Sequence, residues 1–200
     1  MGRVMQASFL GPLMAGAGEG GGLYPTRALV RNRSCPRILD QVRRVRYFFP
    51  ELRGTAIRVG FTRAAQGYAS LEDDTIWMNP YRLTHLTIAH ELVHLVQNRG
   101  LVPGGEKTAD LHALARHITL VDDLPGYLRV PPELRRRWNP ARLSFGRLLH
   151  HTAARAIADS DGKPRRAIHL FEKEIDVRWE ESRDALAGKT KRAAPLALFG

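Results

Sequence analysis

The segment Thr87-Ile88-Ala89-His90-Glu91-Leu92-Val93-His94-Leu95-Val96 decides how the rest of this 200-residue chain is read. It lies in a run, Arg82 to Asn98, that neither proline nor glycine interrupts and in which Leu83, Leu86, Ala89, Val93 and Val96 share one helical stripe. On that helix His90 and His94 stand one turn apart on the same face, so both imidazoles can reach a single cation at about 2.1 Å. Glu91 is rotated from His90 by about a quarter turn. Its carboxylate can there hydrogen-bond a water held by the cation without being a ligand itself. With eight His and ten Glu in the chain, a chance His-Glu-x-x-His arises in roughly one or two per cent of such sequences. The surroundings reduce this further, because no other charge occurs between Thr84 and Gln97.

A hydrolytic zinc takes three protein ligands and leaves one position for water. The nearby candidates for the third are Glu106, Asp110, and His112 or His117. Gly100, Pro103, Gly104 and Gly105 supply a turn, and Glu106 to Leu120 contains good helix formers behind an acidic start. If this second helix runs back along the first, Glu106 reaches the level of His94. Asp110 then lies about 6 Å further on, near His90, where it can accept the second ring N–H and fix the tautomer. His112 points about 120° away from Glu106, and His117 lies about 16 Å along the helix. Glu106 is therefore the preferred ligand and Asp110 its supporting carboxylate.

Working outward, Arg37 to Phe49 carries Ile38, Val42, Val45 and Phe49 at helical steps and is closed by Pro50. Thr55 to Phe61 alternates with the period of two that a strand requires. Gln66 to Ser70 and Thr75 to Asn79 flank the polar turn Leu71-Glu72-Asp73-Asp74 and read as a hairpin ending at Pro80. Beyond the site, helices are predicted over Pro131 to Trp138, Pro140 to Asp159 and Arg165 to Ala187. The expected fold class is α+β: a small antiparallel three-stranded sheet packed on a central active-site helix, followed by a mostly helical C-terminal half.

Composition sets the outer limits. At 44% hydrophobic and 26% charged residues the chain matches an ordinary globular protein, and disordered or fibrous classes are excluded for the chain as a whole. No run of eighteen apolar residues exists, so a membrane-spanning helix is not expected. Five of the seven residues from Gly16 to Gly22 are glycine, and residues 1–22 are read as a flexible extension in preference to a signal peptide. Residues 23–187 then form one metal-site domain and 188–200 a flexible tail. The lone Cys35 cannot make an intrachain disulfide, which makes a reducing cytoplasm the expected compartment.

The net charge is +11, and 26 of the 31 basic residues are Arg. The excess is shared by both halves, 13 basic against 7 acidic residues in 1–100 and 18 against 13 in 101–200. Arg135-Arg136-Arg137, Lys163-Pro164-Arg165-Arg166 and Lys189-Thr190-Lys191-Arg192 are the densest clusters. Nucleic acid held through this basic surface is thus a second class of partner to weigh against a peptide. There is no zinc-finger cysteine pair and no recognition motif for reading a base sequence.

His90-Glu91-Leu92-Val93-His94 followed by Glu106-Lys107-Thr108-Ala109-Asp110 resembles the paired signature of gluzincin metallopeptidases, the thermolysin-like branch of the zincins, in a minimal single-domain form. The Glu-x-x-Ala-Asp motif followed by Ala113 is also similar to that of the ImmA/IrrE-type regulatory peptidases. The metzincin pattern is not followed, since Gln97 and Gly100 stand where it needs Gly and a third His. The resemblance covers roughly His85 to Ala115. It implies a zincin-like site with zinc on His90, His94 and Glu106, lying under an antiparallel edge strand that holds an extended peptide. Thr75 to Asn79 is the strand expected in that place. The distal His or Tyr by which such enzymes stabilise an oxyanion has Tyr81, Tyr127, His150 and His151 as its candidates.

The function expected from these residues is zinc-dependent hydrolysis of a peptide or protein substrate, with Glu91 as general base and then general acid. The alternatives are a zincin-fold regulatory or nucleic-acid-associated binding protein, and a metal-dependent amidase acting on non-peptide bonds.

Overall fold

A computed structural model describes residues 21–186 of the chain. The expectations for residues 1–20 and 187–200 fall outside the described residues. Gly21 and Gly22, assigned to the N-terminal extension by their composition, are part of the fold. The carbonyl of Gly22 accepts from the Ile57 N–H at 2.9 Å, and a Cβ on Gly21 would stand 2.4 Å from the Gly54 carbonyl carbon. The chain folds as two compact units divided between Gly104 and Gly105.

The first unit opens with strand β1 (Leu23–Pro25), a one-turn helix α1 (Arg27–Val30) and helix α2 (Cys35–Arg46). Strands β2 (Ile57–Phe61), β3 (Gly67–Ser70) and β4 (Thr75–Met78) follow, and then helix α3 (His85–Asn98). Pro36 in the first turn of α2 costs no hydrogen bond, because its missing N–H would have had no helical partner. Ile38, Leu39, Val42 and Val45 form the buried stripe of α2. The loop beyond it is closed by Arg46, whose guanidinium donates to the carbonyls of Leu52 (2.9 Å) and Thr55 (2.8 Å). Thr84 caps α3 through its Oγ1, which accepts the Thr87 N–H at 3.1 Å.

The sheet corrects the sequence reading. It has four strands in the order β1-β2-β4-β3, with β2 parallel to both β1 and β4, and only the β3/β4 hairpin antiparallel. The three-stranded antiparallel meander is therefore replaced by a mixed sheet. Two causes account for the difference. Leu23-Tyr24-Pro25 is too short to show a period, yet it pairs parallel to β2 across the α1–α2 crossover. The hairpin, read correctly as such, docks by its more apolar strand. Ile76 and Met78 of β4 are fully buried beside Val59, while the small and polar residues of β3 take the sheet edge. The edge strand near the site is consequently Gly67–Ser70 and not Thr75 to Asn79.

One sheet face packs on α2 and α3 and buries Ile57, Val59, Ile76 and Met78 together with Ile88, Leu92 and Val96. Each such fully buried aliphatic side chain contributes about 1.5–3 kcal/mol by leaving water. The other face carries Arg58, Trp77 and Tyr68.

The second unit is helical: α4 (Glu106–Arg116), α5 (Pro132–Arg137), α6 (Leu143–Ala158) and α7 (Pro164–Leu186). Short 3-10 turns stand at Pro50–Leu52 in the first unit and at Ile118–Leu120 in the second. The core of the second unit joins Leu111 and Leu114 of α4, Leu149 and Ala153 of α6, and Phe171, Ile175 and Trp179 of α7. The helix predicted over Glu106 to Leu120 stops at Arg116, because His117 is extended (φ −164°, ψ 144°) and its Nδ1 accepts the Thr119 N–H to start the 3-10 turn. Among the described residues no helix is long and apolar enough to cross a membrane.

Candidate metal centre

Helix α3 delivers His90 and His94 as their spacing requires. The two Nε2 atoms face each other at 3.1 Å. Two nitrogens each about 2.05 Å from one tetrahedral centre stand about 3.3 Å apart, so this separation suits a shared cation. One ligand atom each from His90, His94 and Glu106 lie within 4.8 Å of one another, and this is the one group of its kind among the described residues. Two imidazoles and a carboxylate are the donor set of a catalytic zinc that keeps a position open. The preferred third ligand of the sequence reading is thus the carboxylate that the structure groups with the histidines.

The orientation of His94 is set by a residue the sequence reading passed over. Gln97, three positions on along α3, places its Oε1 2.8 Å from His94 Nδ1. A carboxamide oxygen only accepts, so Nδ1 carries the proton and Nε2 presents its lone pair. The amide is fixed at its other end, where Nε2 of Gln97 donates to the Pro103 carbonyl at 2.8 Å. An i, i+3 pairing of His with Gln on a helix is the signal that could have found it.

Glu91 is buried at 5% exposure and lies against the edge strand. A Cβ built on Gly67 would stand 3.0 Å from Glu91 Oε1 and 3.2 Å from its Cγ. A side chain at this position would press on the carboxylate, which would have to give by a few tenths of an ångström. Asn79, buried at the end of β4, holds the strand there. Its N–H donates to Gln66 O (3.0 Å), its Nδ2 donates to Ala65 O (2.9 Å), and its Oδ1 accepts from the Tyr81 N–H (3.0 Å).

That Asn79–Gln66 bond also fixes the ladder. It makes Gly67 and Met78 a non-hydrogen-bonded pair, so the ladder bonds of the hairpin fall on Tyr68–Trp77. The N–H and C=O groups of Gly67 and Ala69 therefore point away from β4, along what is an edge of the sheet among the described residues.

Glu106 occupies the first position of α4. Gly105 ahead of it has φ +108° and ψ 152°, a conformation open essentially to glycine alone. Lys107, the next residue, donates to Glu172 Oε1 at 2.7 Å, and the same oxygen accepts the Arg129 N–H at 3.2 Å. Burial acts first on the Glu172 carboxyl and pushes its pKa up, but the Lys107 and Arg129 contacts together carry it below the usual value. Asp110, expected to support His90, is buried and uses Oδ2 to accept the N–H groups of Tyr127 (2.6 Å) and Leu128 (3.1 Å). It fixes the loop that follows the 3-10 turn.

The remaining candidates separate by what they touch. His150 Nδ1 donates to the Leu114 carbonyl at 2.8 Å and joins α6 to α4. His151 beside it is held below the usual histidine pKa by burial, with His150, Arg178 and Arg147 adding to the effect. Tyr81 and Tyr127 are exposed at 73% and 55%. Cys35 is buried, and burial pushes its thiol pKa up. It is thereby kept protonated, the opposite of a nucleophilic cysteine. Compared with protein-family models, with curated proteins and with solved structures, the chain matches none of them.

Proposed function

We propose that the chain is a zinc-dependent metallopeptidase of the zincin type, hydrolysing peptide bonds with water activated by Glu91. The observation that carries the proposal is the convergence of His90, His94 and Glu106 ligand atoms within 4.8 Å, next to a buried glutamate one residue along the same helix. A zinc ion held by these three side chains supplies Lewis-acid polarisation of a carbonyl and lowers the pKa of water toward about 7.

The chain's own groups account for the rest. Gln97 holds His94 in the tautomer that offers Nε2. Glu91, one residue beyond His90, accepts the proton of the attacking water and delivers it to the leaving amine, acting first as base and then as acid. Its carboxylate is buried and lies beside Gly67 of the edge strand.

A peptide is favoured over a non-peptide amide by the neighbouring strand. β3 turns the N–H and C=O groups of Gly67 and Ala69 to the sheet edge, where an extended chain can add as a further strand. Gly67 lies against Glu91, so a peptide paired there passes the catalytic carboxylate.

The test is Glu91→Gln measured beside wild type for zinc content and for hydrolysis of a fluorogenic casein. Zinc at one equivalent with hydrolysis lowered at least 100-fold is expected. A variant that cleaves at the wild-type rate would sink the assignment.

A further inference from the structure

The outer face of the sheet carries a short row of rings that runs toward the same edge. Gly60, Trp77 and Tyr68 are register partners across β2, β4 and β3. The indole of Trp77 leans over Gly60, where an added Cβ would lie only 2.3 Å from its Cε3. On the other side the Tyr68 ring lies nearly parallel to the indole, with centroids 5.7 Å apart and planes 12° apart. Tyr68 remains 45% exposed. The row thus stops at an exposed ring on the edge strand.

We infer that Tyr68 forms a subsite for an aromatic side chain of an extended substrate, and so sets part of the specificity of the proposed peptidase. The inference rests on the peptidase reading and adds to it the class of residue recognised. A strand added to β3 lies about 4.8 Å further along the sheet. Its residue opposite Gly67 projects to the inner face, where Glu91 lies. Its residue opposite Tyr68 projects to the outer face, because adjacent residues alternate. An aromatic ring at that second position continues the row Gly60–Trp77–Tyr68 at the spacing at which rings stack, about 4.5–7 Å between centroids. The preferred residue is accordingly one position away from the residue that faces Glu91, and its immediate neighbours, which face inward, carry no such preference.

The experiment scans a zinc-loaded wild-type protein against peptides in which Phe replaces Ala at one position at a time on either side of the cleaved bond. One position is expected to raise kcat/KM by about threefold to tenfold, the range of a cross-strand aromatic pair. The Phe/Ala ratio at that position collapses toward one in Tyr68→Ala and is kept in Tyr68→Phe. Binding of the same peptides to Glu91→Gln, followed by fluorescence anisotropy, gives the same ratio without turnover. A wild type that cleaves peptides with no aromatic preference, or a ratio unchanged in Tyr68→Ala, overturns the subsite alone. A zinc-loaded wild type that neither cleaves nor binds any peptide overturns the peptidase reading and the subsite with it.

Discussion

Replacing Gln97 by Ala removes the acceptor of His94 Nδ1–H and, with it, the anchor to the Pro103 carbonyl, both at 2.8 Å. The hydrogen bond itself is worth about 0.5–1.5 kcal/mol net. Its effect on a metal site is larger, because an imidazole without a partner samples both tautomers and several rotations. Groups that hold a ligating histidine in this way typically account for about 10–100-fold in metal affinity, or about 1.4–2.7 kcal/mol. Gln97 is half-buried, so water can replace part of what it does, and a loss of about 10–30-fold is expected. Gln97→Glu restores an acceptor for Nδ1–H while losing the amide donor to Pro103, and should recover most of the affinity. The assay is competition for zinc against a chromophoric chelator at pH 7, with circular dichroism to confirm the fold. A Gln97→Ala protein whose zinc Kd stays within twofold of wild type would refute the claim that Gln97 sets the His94 tautomer.

Other consequences follow from single contacts. Gly67→Ala places a methyl group 3.0 Å from Glu91 Oε1; a carboxylate displaced by a few tenths of an ångström should lower kcat about tenfold at unchanged zinc content, and an unaltered kcat would count against the assigned role of Glu91. Gly105→Ala meets no atom within 4 Å but demands φ +108° of an alanine, so urea unfolding should show a loss of about 1–3 kcal/mol, accompanied by weaker zinc binding through Glu106. Glu172→Gln should cost about 1 kcal/mol at neutral pH by weakening the contacts to Lys107 and Arg129. Because the Glu172 carboxyl is held below its usual value, its contribution is complete above about pH 5 and disappears as the pH falls through the lowered pKa. Parallel urea titrations of the two proteins from pH 7 to pH 3 should therefore converge, and a difference that grew toward acid would contradict the assignment.

The residues of the site were legible in the sequence because their chemistry is local. His90, Glu91 and His94 depend only on helical spacing, and Glu106 on a short turn followed by a second helix. Gln97 was equally close but carries no metal-site chemistry of its own, and only its bond to His94 distinguishes it from any polar helix residue. Gly67 and Asn79 could not be placed, since what matters is which strand the hairpin turns outward. That choice depends on pairing between β2 and β4, which alternation within a strand does not encode. The missing β1 has the same cause: three residues ending in proline show no period, and their strand conformation comes from the parallel partner β2. Asp110 makes one set of contacts that helix geometry alone does not contain: the N–H groups of Tyr127 and Leu128 that its Oδ2 accepts come from a loop beyond the 3-10 turn.

The charge recedes to a secondary place in this account. Both halves of the chain carry an excess of Arg, and several of these residues are engaged in the fold. Arg46 closes a loop, Arg99 pairs with Asp74 at 2.8 Å, and Arg129 reaches Asp176 at 2.6 Å.

The central claim is that three side chains hold a metal, and metal analysis tests it most directly. Protein purified without chelators and analysed by plasma mass spectrometry should contain close to one zinc per chain, and His94→Ala and Glu106→Ala prepared in the same way should contain almost none. Wild-type protein that carries no stoichiometric zinc and takes up none on reconstitution would contradict it.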